Sequence, residues 1–315
     1  GELGLEHVHV TDDGSVALLD RAAPGTRMRR IDVCADIALL ADELAAEGRV
    51  DLAERFLSAY AEHANDFDLF GLVDFYAGLR ASLRAKLELV PAENAPTAAR
   101  AHTHRHRSHR FFALALAVRR KALLPPIVIA TGGQVASGKS TIARALAWEI
   151  GAPVVGSDRT RDFLLGERVV DEPHEIHWER AYEPGFAERV YGEVMRRGAV
   201  VLESGRPLVV DGCFRSRAQR AMARALANAR GLPFRFVEAR IPASLQRERL
   251  HERSLRDAVP DRVWLDIADA LRREWEPAVE LADEQHIVLD TSQPLERNVA
   301  ALRAMLPTWP PGLTG

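Results

Sequence analysis

The chain has 315 residues, a length that points to two packed domains. With 47% hydrophobic and 28% charged residues it has the composition of a folded protein, which excludes intrinsic disorder. The 42 Lys and Arg against 45 Asp and Glu give a net charge of −3, without the basic excess of a dedicated nucleic-acid binder, so an anionic ligand has to be caught locally. Cys34 and Cys213 are the only cysteines, too few for a disulfide framework and without a CxxC pair. No apolar run approaches the ~18 residues that span a bilayer, and GELGLEHVHV has no basic or apolar signal region, so a cytoplasmic protein without a membrane partner is expected. The chain opens on Gly1 rather than Met, which suggests processing or truncation.

The first elements read as a hairpin followed by helices. His7 to Val10 and Ser15 to Leu19 flank Thr11-Asp12-Asp13-Gly14, an Asp-Gly turn between strand-like runs. Apolar residues from Ile31 to Ala46 recur every three or four positions, predicting one amphipathic helix stopped by Gly48. A second helix is expected over Leu52 to His63 and a third over Leu69 to Leu89, ended by Pro91 and Pro96. Between Asn94 and Trp148 there is no acidic residue, while His102, His104, His106 and His109 alternate with arginines. Those arginines repel a cation, and no carboxylate or cysteine completes a ligand set, so residues 99–124 read as a basic connector rather than a metal site.

After Pro125-Pro126 strands and helices alternate, which predicts an α/β domain: a parallel sheet with helices on both faces. Candidate strands are Ile127 to Thr131, Pro153 to Val155, Leu208 to Val210, Arg235 to Ala239 and Ile287 to Leu289. Helices are expected at Lys139 to Ile150, Glu183 to Arg197, Arg217 to Arg230, Ala243 to Arg253, Asp261 to Glu274 and Leu295 to Met305.

The first strand runs into Gly133-Gln134-Val135-Ala136-Ser137-Gly138-Lys139-Ser140-Thr141, a full GxxxxGK[ST] phosphate loop between a strand and a helix. Such a loop turns backbone N–H groups and a helix N-terminus toward phosphates, lets Lys139 reach the β- and γ-oxygens, and puts the Ser140 hydroxyl on Mg2+. Lys86, Lys121 and Lys139 are the only lysines, so the placement of one in this motif is informative. Asp211, ending Leu208-Val209-Val210, is a second Mg2+ candidate of the Walker-B kind; capping of the next helix is the other reading. Cys213 has no sequence partner and reads as a small packed residue.

In Ser157-Asp158-Arg159-Thr160-Arg161, Asp158 and Arg161 form an Asp-x-x-Arg element that can supply a base for an acceptor hydroxyl and a cation for a transferred phosphoryl; Asp158 as an N-cap is compatible with this. Arg249 and Arg253 share a helix face and suit a lid that neutralises transition-state charge, whereas Glu248 and Glu252 between them also fit a salt-bridged surface helix. Arg215, Arg217 and Arg220 are further candidates for an anionic acceptor.

From about Pro125 to Leu306 the chain resembles P-loop kinases of the AAA-type, zeta-toxin-like and polynucleotide-kinase-like group, through GGQVASGKST, SDRTR, LVVDGCF, RERLHER and IVLDTS. The resemblance implies ATP and Mg2+ as cofactors, an adenylate-kinase-like fold with a closing lid, Lys139 and Ser140 at the nucleotide, and Asp158 near the acceptor. Residues 1 to about 90 resemble the C-lobe of aminoglycoside-phosphotransferase-like kinases, through Gly1-Glu2-Leu3, Asp20 and Arg29-Arg30-Ile31-Asp32-Val33. Glu2 stands where that family has its catalytic aspartate and His7 where it has a metal-binding asparagine, so a remnant without activity of its own is expected. The expected domains are 1–98, the connector 99–124, and a kinase domain over 125–315. The expected activity is γ-phosphoryl transfer from ATP to a hydroxyl of a small molecule. A nucleotide-dependent regulatory ATPase or scaffold and a polynucleotide 5′-hydroxyl kinase stay open as alternatives, the net charge arguing mildly against the latter.

Overall fold

The computed structural model describes residues 3–19, 31–117, 125–166, 184–257 and 259–306. Its internal contacts divide the chain into two compact units that meet in sequence between Leu123 and Leu124.

The first unit opens with β1 (Val8–Val10) and β2 (Val16–Leu18), paired antiparallel with His9 opposite Ala17 around the expected turn. Four helices follow: α1 (Val33–Ala46), α2 (Val50–Ala64), α3 (Val73–Glu93) and α4 (Ala98–Leu116). Asp32 caps α1 by accepting from the Cys34 N–H at 2.9 Å, and Asn65 ends α2 in the left-handed region at φ 53°. Two expectations change here. Pro91 lies inside α3, near its end, where it removes one i→i−4 bond without stopping the helix, which is capped at Asn94 instead. The basic stretch expected as a connector is largely α4, which folds back along α3 around Ala81, Ala85 and Phe111 and belongs to this unit. His104 there reaches Glu88 at 2.7 Å, and His102 stacks on His106 with ring centroids 6.4 Å apart. Glu2, Asp20, Arg29 and Arg30, on which the resemblance of this segment partly rests, lie outside the described residues.

The second unit is α/β, as expected. Its strands β3 (Val128–Gly133), β4 (Val154–Gly156), β5 (Leu208–Asp211), β6 (Phe234–Arg240) and β7 (His286–Asp290) form one parallel sheet in the order β4-β5-β3-β6-β7. All six residues of β3 are buried, the pattern of a central parallel strand covered on both faces. The helices are α5 (Lys139–Ile150), α6 (Ser157–Leu165), α7 (Pro184–Glu203), α8 (Arg217–Asn228), α9 (Ala243–Asp257), α10 (Asp261–Arg273) and α11 (Leu295–Met305). In α5, Ile142, Leu146 and Ile150 are buried, and Gly151 closes the helix in the left-handed region at φ 62°. Ser216 and Gln219 make a capping box on α8. Trp264, Ala268 and Leu271 form the buried face of α10.

This sheet order makes β3 central. The chain leaves it for β4 on one edge and later crosses to β6 on its other side, so the carboxyl ends of β3 and β5 open onto a switch point where α/β sheets bind ligands.

Candidate active site

The loop after β3 takes the shape that its glycines permit. Gly133 has φ 143°, and a Cβ there would lie 2.5 Å from the Ala239 carbonyl oxygen. Gly138 sits at φ 83° directly before α5. Ala136 is also left-handed, at φ 60°, a conformation costing about 1–2 kcal/mol for a residue with a Cβ. Surrounding bonds hold this arc: Gly133 N–H donates to the Cys213 carbonyl at 3.1 Å, and Ser137 N–H to the Gln134 carbonyl at 3.1 Å. No side chain caps α5. Its first N–H groups are thus left for an external acceptor, and the dipole there favours an anion.

A cleft of about 760 Å³ opens over the loop. Ala136, Gly138, Lys139, Ser140 and Thr141 form one wall; Asp158, Arg144, the α9 residues Arg249, Glu252, Arg253 and Arg256, and Thr291, Gln293 and Asn298 also line the cleft, with Arg249 and Thr291 close against Gly138. The structure therefore brings together the expected Lys139, Ser140, Asp158, Arg249 and Arg253. Asp211 lies behind that wall. It is opposite Thr131 in the β3–β5 register, accepts from the Thr131 hydroxyl at 3.3 Å and shares a hydrogen bond with the Ser140 side chain.

Burial pushes the Asp211 carboxyl above the ordinary carboxylate value, against the pull of Lys139 and Ser140. Burial would lower the Lys139 ammonium, but Cys213, Asp211 and Asp158 outweigh it and raise it. Asp158 behaves in the opposite sense to Asp211. Desolvation would raise it, yet Arg161, Lys139 and Arg253 together hold it below the ordinary value. Two neighbouring carboxylates displaced in opposite directions, Asp158 lining the cleft and Asp211 behind its wall, mark a candidate functional site.

Several sequence expectations need correction in detail. Asp158 is not an N-cap: Gly156 holds that position, and Asp158 lies in the first turn of α6. Arg161 is three residues on, where helical geometry brings it to Asp158 at 2.7 Å, and it does not line the cleft. Arg220 is no candidate for an acceptor, because it is fully buried and spends its guanidinium on Glu280 and on the carbonyls of Phe214, Glu276 and Pro277. Arg215 pairs with Glu274 at 2.7 Å and Arg217 lies 3.9 Å from Glu280. Neither cleft arginine of α9 is loose: Arg249 donates to the Thr291 carbonyl at 2.8 Å, and Arg253 donates to Asp257 at 3.1 Å with its guanidinium 3.9 Å from the Trp264 ring centroid. Arg144, Arg256, Thr291 and Asn298 escaped the sequence reading. Extending the Arg249 and Arg253 periodicity by one turn reaches Arg256, and Thr291 falls within the IVLDTS run, which assigns it no role, but no local signal marks Asn298.

A phosphate-loop motif, a central β3 and a carboxylate at the end of β5 together specify a P-loop α/β fold. Residues 128–277 match the AAA domain family. That AAA match spans β3 through α10 and stops short of β7. Uncharacterized proteins of Mycobacterium tuberculosis and Mycobacterium bovis are 34% identical over 215 residues, 68% of this chain and 42% of theirs. The match thus spans less than half the length of those relatives. Among solved structures, a sugar kinase from Janibacter sp. HTCC2649 is 19% identical, covering 57% of this chain and 94% of its own, with a TM-score of 0.44. The gluconokinase of Sinorhizobium meliloti 1021 is 21% identical, covering 58% and 92%, at 0.42. The APS kinase of Mycobacterium tuberculosis, solved with AMPPNP and APS, is 16% identical, covering 58% and 98%, at 0.43.

Proposed function

We propose that the second unit is an ATP- and Mg2+-dependent kinase that transfers the γ-phosphoryl group of ATP to a hydroxyl of a small molecule. The observation that carries this reading is the convergence, around one cleft, of an uncapped helix N-terminus with Lys139, a carboxylate held ionised at Asp158, and the arginines of α9.

The residues present fit the groups that this reading requires. An uncapped α5 and the left-handed Gly138 suit a polyphosphate, and the adjoining Ser140 hydroxyl and Asp211 carboxylate are hard oxygen donors of the kind Mg2+ takes. MgATP, when bound, supplies the phosphoryl group and the charge that the metal offsets. Lys139 and the Gly133–Ser140 backbone hold the phosphates; Ser140 and Asp211 hold the metal. Asp158 orients the acceptor hydroxyl and takes its proton on a carboxylate oxygen, with Arg161 holding the carboxylate at 2.7 Å. Arg249 and Arg253 neutralise charge on the transferred group.

On the resemblance described above, the first unit is a kinase-C-lobe-like accessory domain without phosphotransferase activity of its own, and the kinase domain begins near residue 125. The whole is read as cytoplasmic; no helix among the described residues is long and apolar enough to cross a membrane. An ATP-consumption screen over sugars, aminoglycosides, nucleosides and 5′-hydroxyl oligonucleotides tests the proposal. Acceptor-stimulated ADP release with a small molecule is the expected result. Absence of both MgATP binding and turnover overturns it, and turnover with oligonucleotides alone reassigns the acceptor.

A further inference from the structure

Two side chains outside the phosphate motif grip the loop by its carbonyls. Gln246, 2% exposed on α9, donates its amide Nε2 to the Val135 carbonyl at 2.8 Å, and its Oε1 accepts from Arg272 of α10 at 2.9 Å. Thr291, 6% exposed after β7, donates its hydroxyl to the Ser137 carbonyl and lies close to the Arg240 carbonyl as well. The Val135 side chain is itself sunk in a cluster with Leu250, Trp264 and Leu271 of α9 and α10.

A trans peptide is planar, with its C=O and the following N–H pointing in opposite directions. Turning the Val135 carbonyl toward Gln246 therefore aims the Ala136 N–H the other way, and turning the Ser137 carbonyl toward Thr291 does the same for the Gly138 N–H. Ala136 and Gly138 are residues that line the cleft. The left-handed Ala136 needs such over-determination, since a strained conformation persists only where its surroundings enforce it. We infer that Gln246 and Thr291 are positioning residues that set the peptide planes of the phosphate loop, so that its N–H groups face the cleft before any nucleotide arrives. This rests on the reading of the loop as the nucleotide site.

The test separates that role from simple support of α9. Gln246→Glu keeps an acceptor for Arg272 but has no N–H for the Val135 carbonyl, Gln246→Met keeps the volume and loses both bonds, and Thr291→Val removes only the hydroxyl. MgADP affinity by calorimetry should weaken about tenfold in each, the usual scale for loss of a buried polar contact. Without nucleotide, amide exchange of residues 133–141 should quicken in all three, while exchange within α10 stays unchanged in Gln246→Glu. Wild-type affinity and wild-type loop exchange in Gln246→Glu would overturn the inference, showing that only the Arg272 bond matters. If the wild-type protein binds no MgADP, the nucleotide reading falls, and the loop-exchange comparison alone decides for or against the clamp.

Discussion

Lys139 and Lys86 carry the same charge in different surroundings. Lys139 lines the cleft at the first position of α5, whereas Lys86 is exposed on α3 in the other unit. Lys139→Ala should abolish measurable MgATP turnover and Lys86→Ala should leave it unchanged, since a diffuse surface charge is screened within about 10 Å. Parallel kinetic assays decide this, and equal effects would separate the loop from the activity. Asp158→Asn should depress phosphoryl transfer by about 10²- to 10⁴-fold with MgATP affinity nearly retained, the range for removing a general base. Because Arg161, Lys139 and Arg253 outweigh desolvation and keep that carboxyl below its ordinary value, the deficit should be constant from about pH 6 to pH 8. A deficit that shrinks toward the lower pH would show that the carboxyl titrates within that range instead of below it, and no deficit at any pH would show that Asp158 is not the base. Legibility in the sequence follows from range: the GxxxxGK[ST] motif is contiguous and was readable in full, while the contact of Thr291, itself within IVLDTS, with Ser137 spans 154 positions and has no local signature.

At the scale of elements, α9 and α10 form a hairpin that both shapes the loop and presents the arginines. Trp264, 1% exposed, packs with Val135 and Leu250 and lies under the Arg253 guanidinium. Trp264→Ala should cost about 3–5 kcal/mol of stability in denaturant unfolding, as large-to-small core changes do, with Trp264→Phe costing less. A loss below about 1 kcal/mol would show that the hairpin repacks without it. On the other side of β3, Glu238 on β6 pairs with Arg240 at 2.7 Å and with His286 of β7 at 2.8 Å. Desolvation raises the Glu238 carboxyl, but Arg240 and His286 outweigh it and hold it below the ordinary value of 4.5. A depressed carboxyl stabilises the fold fully above the unfolded value, and that contribution is lost as pH falls through the folded one. Glu238→Gln should therefore be less stable than wild type at pH 7, with the gap in melting temperature closing as pH drops below about 4.5. A gap that does not depend on pH would assign the effect to packing alone. Helix limits show the same logic of range, for the periodicity of α3 was legible, yet its continuation through Pro91 depends on α4 packing beside it.

Taken as a whole, the molecule concentrates its candidate chemistry in one of its two units, since the loop, Asp158, Asp211 and the α9 arginines all fall between Leu124 and Thr308. Saturation with MgADP at about 100 times its dissociation constant should add roughly 2.7 kcal/mol to the stability of that unit. Hydrogen exchange should show the protection there and none in residues 3–117; protection in the first unit would give it a nucleotide site of its own. The sequence by itself determined the α/β class of the second half, the helical class of the first, and the identity of the phosphate loop. Hydrophobic period, turn residues and a contiguous motif are all local in the chain, and local signals survive without coordinates. Only the tertiary structure decided that Asp211 stands behind Ser140 while Asp158 faces the cleft, and that Arg220 is a buried strut while Arg249 and Arg253, though partnered, line the cleft. The order β4-β5-β3-β6-β7 sets which strand ends converge, and burial sets which charges are already spent; both depend on contacts between residues far apart in the chain.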